Sequence, residues 1–260
     1  MQLSPTADYA SLKDRVAIVT GGGQGLGRSY AHHLAAQGAV PVIADYNEAA
    51  GAAVAKEVED AGGTALAVAT DVGDQGSVEA MVEAARDRFG RVDILINNAA
   101  VFSRITMAPF WELPVDEWQR AMQVNITGAF FCARAVVPAM QEAKWGRILN
   151  ISSGTPYLGL PNYLHYITSK SAVVAMSRSM ARELGPWNVT VNTFIPGVTK
   201  TEVDRPSVSD EKFKGYIDMQ CLKRMSTPED MSKVVLFLCS EDAAWITGQT
   251  LLSDGGLNFL

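Results

Sequence analysis

Val16-Ala17-Ile18-Val19-Thr20 is an apolar run with β-branched side chains that passes directly into Gly21-Gly22-Gly23-Gln24-Gly25-Leu26-Gly27 and a helical pattern through Gln37. No other feature restricts the fold as tightly. A strand that turns through glycine into a helix presents unpaired amides and the positive end of the helix dipole at one place, and glycine lets a pyrophosphate approach without interference from Cβ. The next strand is expected at Val40-Pro41-Val42-Ile43-Ala44, ending at Asp45. This lies about twenty residues past the glycines, where a carboxylate can accept the adenosine ribose hydroxyls. A 2′-phosphate there would meet a like charge, at about 4 kcal/mol for unit charges ~4 Å apart in an effective dielectric of 20. Asp45 therefore favours NAD over NADP, with Tyr46 beside it as a further cofactor contact. The alternative role for Asp45 is a cap on the helix expected over 47–61.

The strand-then-helix alternation continues. Strands are expected at 65–70 and 92–96, with a helix over 75–89 between them. A loop at 101–114 leads into a long helical stretch, 115–140, interrupted near Asn125-Ile126-Thr127-Gly128. A strand over 145–153, a helix over 163–184 and a strand over 189–195 follow. Periodicity is weak over 202–225, which reads as a long loop. Pro228 then opens a helix through Leu238 with Thr227 as its cap, and the last strand lies within 244–256. This pattern predicts one α/β domain spanning 1–260, built on a doubly wound parallel sheet.

Composition narrows the partners. The 260 residues carry a net charge of −6 without a basic cluster, so nucleic acid is not an expected partner. Cys132, Cys221 and Cys239 are too scattered for a metal-binding pair and odd in number, which fits a reducing cytoplasm and no metal. Residues 1–11 have neither a basic start nor an apolar core, and no apolar run reaches the roughly eighteen residues a membrane helix needs.

The chemistry concentrates at Asn162-Tyr163-Leu164-His165-Tyr166-Ile167-Thr168-Ser169-Lys170, preceded by Ser152-Ser153. On a helix, Tyr166 and Lys170 lie one turn apart on the same face. A phenol titrates near 10 when unperturbed, and a neighbouring ammonium moves it toward neutrality, where it can exchange a proton. One of the two serines can hold a carbonyl or alcohol oxygen; strand alternation sends their side chains to opposite faces, so only one can serve. Asn125, polar within an apolar run, is expected to be buried and hydrogen-bonded. His165 is expected to be a packed neighbour rather than a base.

Taken together, Thr20-Gly21 with Gly25 and Gly27, Asn97-Asn98-Ala99-Ala100, Ser153, Tyr166, Lys170 and Pro196-Gly197-Val198-Thr199-Lys200-Thr201 resemble, in order and spacing, the short-chain dehydrogenase/reductase family. Ala100 stands where the family has Gly, and Ser253 where an apolar residue is commoner. The resemblance implies about seven strands and a catalytic tetrad of Asn125, Ser153, Tyr166 and Lys170, Ser153 being selected by its distance of thirteen residues from Tyr166. Asn125 would hold a water that passes the proton outward. The cofactor would meet Gly21, Gln24, Gly25, Leu26, Gly27, Asp71, Val72, Asn98, Ala99 and Ala100, as well as Tyr166, Lys170, Pro196, Gly197, Val198, Thr199 and Thr201. Gln24 replaces the basic residue that NADP users of the family often carry. Asn97 would brace the sheet.

The expected substrate wall is mostly apolar and aromatic. It draws on Val101, Phe102, Ser153, Thr155, Pro156, Tyr157, Leu158, Leu160, Tyr163 and Tyr166, and on Phe213, Tyr216 and Met219 from a lid at about 199–225 that includes Pro206 and Ser207. Arg104 and Arg205 flank it. These residues point to an aromatic or cyclic secondary alcohol and its ketone, with local likeness to the phenylethanol dehydrogenase branch. A 3-oxoacyl-thioester reductase shares every catalytic residue, and a non-catalytic cofactor-binding regulator is the remaining alternative. Apolar residues in excess on the helices over 115–140 and 163–184, with the family habit, imply a homotetramer.

Overall fold

A computed structural model of the chain describes residues 7–103, 105–204 and 209–260. Arg104, Arg205, Pro206 and Ser207 lie outside the described residues. The strands are β1 Val16–Thr20, β2 Val40–Asp45, β3 Leu66–Ala69, β4 Ile94–Asn97, β5 Gly146–Ile151, β6 Val189–Pro196 and β7 Thr250–Ser253. They form one sheet in the order β3-β2-β1-β4-β5-β6-β7, every neighbouring pair parallel. β1, β4 and β5 are buried along their whole length, so they are mostly apolar without alternation, and polar members such as Arg147, Asn97 and Asn150 are buried with them.

Parallel strands require crossovers, and helices supply them. In chain order these are α1 Gly25–Ala36, α2 Glu48–Asp60, α3 Gln75–Phe89, α4 Val115–Met122, α5 Gly128–Ala143, α6 Thr155–Leu158, α7 Leu164–Leu184, α8 Asp210–Met219 and α9 Pro228–Cys239. Met81 of α3, Val136 of α5 and Ala181 of α7 pack on one face of the sheet. Leu34 of α1 and Val235 of α9 pack on the other. Strand order reverses between β1 and β4, which opens a crevice at the carboxyl ends of these strands. Among the described residues no helix is long and apolar enough to cross a membrane.

Local chemistry explains most boundaries. Asn47 caps α2 by accepting from the Ala50 amide, and Asp74 caps α3 by accepting from the Ser77 amide. Thr227 and Asp230 form a reciprocal capping box on α9, with Pro228 in the first turn. The interruption expected near Asn125 is a π-helical turn over Gln123–Thr127 that joins α4 to α5 without a break, and α5 runs on to Ala143. The 202–225 stretch is not a plain loop, because it contains α8. Ser209 caps that helix by accepting from the Lys212 amide, and Asp210 and Glu211 sit in the first turn, where the dipole favours them. Only Phe213 of α8 is buried, so it leaves too narrow an apolar stripe for periodicity to show.

A polar chain runs through the centre of the sheet. Asn97 Nδ2 donates to Asn150 Oδ1 at 2.8 Å, Asn150 Nδ2 to Ser177 Oγ at 2.8 Å, and Thr193 Oγ1 to the same Ser177 oxygen at 2.9 Å. It ties β4, β5 and β6 to α7, so Asn97 is a brace, as expected. Asn150→Ala leaves one N–H of the Asn97 amide without its acceptor, while Asn97 keeps the Ala129 carbonyl and Ser177 keeps Thr193 and the Val173 carbonyl. We expect it to lower stability by about 1–3 kcal/mol, the cost of one buried unpaired group, read as a lower urea midpoint at unchanged m value.

Candidate active site

The glycine turn is held from β4. Thr20 Oγ1 accepts from the amides of Asn98 (3.0 Å) and Ala99 (3.1 Å), while Asn98 Nδ2 donates to the carbonyls of Thr20 and Gly21, both at 3.0 Å. Gly27 lets α1 seat on this turn, since a Cβ there would stand 2.1 Å from the Gly21 carbonyl oxygen. It does not line the cavity described below; its part is packing.

The Gly25 amide at the start of α1 donates to Glu202 Oε1 at 3.0 Å, and Arg28 Nη1 lies 3.5 Å from the same oxygen. An anionic group therefore suits this turn, as dipole and free amides require. At the end of β2, Asp45 accepts from the Gly23 amide through Oδ2 and from the Asn47 amide through Oδ1, each at 2.8 Å. The helix cap is thus Asn47 and not Asp45.

A cavity of about 640 Å³ extends from these residues across the carboxyl ends of the strands. Gly21, Gln24, Gly25, Leu26, Asp45 and Tyr46 line one end of it. Asp71, Val72, Asn98, Ala99 and Ala100 border it from β3 and β4, and Pro196, Gly197, Val198 and Thr199 from β6. Arg120 of α4 and Gln123 also reach this wall; sequence reading missed them because nothing local marks which turn of a helix faces a crevice. The Thr199 hydroxyl is bonded within the protein, to the Gly197 carbonyl (3.0 Å) and Ser226 Oγ (2.8 Å). Thr201 is not in the wall; its hydroxyl accepts from the Val203 amide at 3.3 Å.

Ser153, Tyr166 and Lys170 meet in the same cavity. Both serines border the cavity, but they differ: Ser152 is buried with its Oγ donating to the Lys170 carbonyl at 2.7 Å, whereas Ser153 is only partly buried. Ser153 Oγ accepts from the amide and the hydroxyl of Thr155, at 3.2 and 3.1 Å. Both bonds occupy its lone pairs and leave its own proton for an oxygen in the cavity. Tyr166 is buried under the Phe102 ring, centroids 4.5 Å apart. The Lys170 ammonium lies 5.8 Å from the Tyr166 ring centroid and donates to the Ile151 carbonyl at 2.8 Å. Burial lowers the Lys170 pKa to about 8.

Asn125 stands one layer behind and does not line the cavity. Its Oδ1 accepts from the Val101 amide at 2.8 Å and its Nδ2 donates to Ser169 Oγ at 3.0 Å. His165 is buried outside the wall, and among the described residues neither ring nitrogen has a hydrogen-bond partner. Burial lowers its pKa, with Glu117 opposing.

Phe102, Thr155, Leu158, Leu160, Tyr163, Phe213 and Tyr216 line the far end. Burial raises the Tyr216 pKa, as does nearby Tyr163. Three expected wall residues are displaced. Tyr157 and Met219 are exposed, and Pro156 is absent from the wall. α6 is a single turn that brings Leu158, not Tyr157, to the cavity, and a single turn is too short for its facing to be read from sequence. Val203, Asp254, Leu257 and Asn258 also line the cavity; Asp254-Gly255-Gly256 signals a turn but not where that turn lies. Among the described residues no group of His, Cys, Asp and Glu converges as metal ligands.

Residues 21–258 match the sequence profile of the family described as enoyl-(acyl carrier protein) reductase. The chain belongs to the short-chain dehydrogenase/reductase family of oxidoreductases. It is 38% identical over 249 residues to trans-4-hydroxycyclohexanecarboxylate dehydrogenase of Sinomonas cyclohexanicum, covering 94% of this chain and 92% of that protein. It is 34% identical over 252 residues to L-rhamnose 1-dehydrogenase (NAD(P)(+)) of Azotobacter vinelandii, covering 95% and 97%. A 3-ketoacyl-(acyl-carrier-protein) reductase from Brucella melitensis, crystallised with NADH, superposes with a TM-score of 0.87 at 35% identity, covering 95% of this chain and 99% of that one.

Lys170 generates a pH test. Its folded pKa lies below the unfolded value, so its burial opposes folding most below about pH 8, and this penalty is relieved as pH rises toward the unfolded pKa of about 10.4. Lys170→Met removes the titration. The unfolding free energy of the parent should therefore gain on that of the variant between pH 8 and 10, measured by urea denaturation; a constant difference would contradict the shift.

Proposed function

We propose that this protein is an NAD-dependent dehydrogenase/ketoreductase that interconverts an apolar aromatic or cyclic secondary alcohol and its ketone. The convergence of Ser153, Tyr166 and Lys170 on the cavity that begins at the glycine turn carries this reading. Gly21, Gly25 and Leu26 would hold the pyrophosphate, Asp45 the adenosine ribose, and Lys170 the nicotinamide ribose; a dinucleotide bound there supplies the hydride acceptor. Asp45 favours NAD for the electrostatic reason given above.

In the oxidative direction Tyr166, as phenolate, takes the hydroxyl proton while the free proton of Ser153 orients the oxygen. The Lys170 charge favours the phenolate. Asn125 braces Ser169 and Val101, and with water it continues the proton path. α8 supplies Phe213 and Tyr216 to the wall and serves as the moving part of a lid over 199–225. Apolar Val115, Phe130 and Leu164, left exposed on α4, α5 and α7, support a homotetramer. A cytoplasmic enzyme with a small-molecule substrate is the reading throughout. The Brucella structure favours a second reading, reduction of a 3-oxoacyl thioester, which uses the same residues.

Steady-state turnover of 1-phenylethanol, cyclic alcohols and 3-hydroxyacyl thioesters with NAD and NADP separates these readings. We expect NAD preference and activity on ring alcohols, abolished by Tyr166→Phe with NADH affinity retained. Thioester-only activity, or NADP preference, would replace this reading. The Glu202 carboxylate occupies the amide a phosphate needs, so Glu202→Gln should tighten NADH binding about threefold to tenfold, the net worth of one ordinary hydrogen bond, by fluorescence titration; unchanged or weaker binding would refute this competition.

A further inference from the structure

β7 ends at Ser253, and the next residue, Asp254, is 5% exposed. Its Oδ1 accepts from the amides of Gly256 at 3.0 Å and Leu257 at 3.1 Å; its Oδ2 accepts from the amide of Asn258 at 2.9 Å and from Asn258 Nδ2 at 2.8 Å. Four donors saturate a carboxylate. The turn is also held from outside, because the Leu222 amide donates to the Gly255 carbonyl at 2.9 Å. Leu257 and Asn258 are thereby fixed in the wall of the cavity that contains Ser153 and Tyr166. Asn258 lies against the serine loop, its Nδ2 3.0 Å from where a Cβ on Gly154 would stand.

The Asp254 carboxylate only accepts, so it takes the NH2 end of the Asn258 amide and leaves the carbonyl end. Asn258 is 9% exposed, and among the described residues its Oδ1 accepts no hydrogen bond. An acceptor fixed by the Asp254 turn in a cavity wall that Leu158, Leu160 and Leu257 also line, with no partner of its own, is costly to leave unmade when ligand excludes water. A ligand that donates a hydrogen bond removes that cost.

We infer that Asn258 is a specificity-determining residue whose amide oxygen accepts a hydrogen bond from a second hydroxyl on the substrate ring, so that the enzyme prefers cyclic diols to mono-alcohols. This rests on the alcohol-oxidoreductase reading above. The hydroxyl that loses its proton to Tyr166 is held by Ser153; the second does not react and serves only to orient the ring.

The test compares kcat/KM for the cyclohexanediol regioisomers, their mono-methyl ethers and cyclohexanol with NAD, in the parent and in Asn258→Leu, with NADH titration of each protein. A methyl ether keeps the oxygen but cannot donate. In the parent the best diol should exceed its methyl ether by at least tenfold. In Asn258→Leu that ratio should fall to near one, the loss lying in KM more than in kcat, with NADH affinity kept. Equal turnover of diol and ether by the parent, or a ratio that survives in Asn258→Leu, overturns the inference and leaves the alcohol reading standing. The ether comparison needs no variant and decides the matter even where Asn258→Leu does not fold. If the parent turns over no ring alcohol at all, the functional reading fails and the inference fails with it.

Discussion

The site depends on how α7 is fastened to the end of β5. Lys170 is almost fully buried and donates to the Ile151 carbonyl, while Ser152 Oγ donates to the Lys170 carbonyl. Two turns further along, Ser177 receives Asn150 and Thr193 from the sheet. These bonds hold the helix at one height and one rotation relative to the strand. Burying an ammonium is unfavourable, as its lowered pKa shows, and the fold tolerates it because the same burial places Lys170 beside Tyr166 in a wall that also holds Ser153. A rotation of α7 by one residue, about 100°, would move the phenol out of the cavity.

The opposite half of the cavity rests on the sheet's change of winding direction. β1 and β4 are neighbours whose crossover helices leave to opposite faces, so their ends part and the glycine turn of one meets the Asn98-Ala99 segment of the other. Gly27 makes this contact close enough for Asn98 to reach two carbonyls of the turn. The Glu202 carboxylate then links the turn to the segment that leads into α8.

Much of this was legible in the chain. All seven strands lie within or beside their expected runs, because a parallel sheet covered on both faces leaves continuous apolar segments. The caps at Asn47 and Thr227 and the turn glycines act through neighbours a few residues away, so they too can be read locally. Ser153 was separable from Ser152 by alternation and spacing. The errors share a cause. α8 has one buried side chain, α6 has one turn, and the facing of Tyr157, Met219 and Arg120 depends on what lies across the cavity; none of these leaves a periodic trace.

The sequence by itself determined the order of the strands and of the longer helices, the glycine turn after β1 and the Tyr166–Lys170 pairing, since each follows from contacts within about one turn of chain or from the burial of a whole strand. Only the tertiary structure decided that Glu202 sits on the glycine turn, that Asn125 stands behind the cavity rather than in it, and that the Asp254 turn brings Leu257 and Asn258 to the cavity wall. Those contacts join residues far apart in sequence. Their energies depend on backbone positions set by packing of the entire sheet and its helices, which no local pattern encodes.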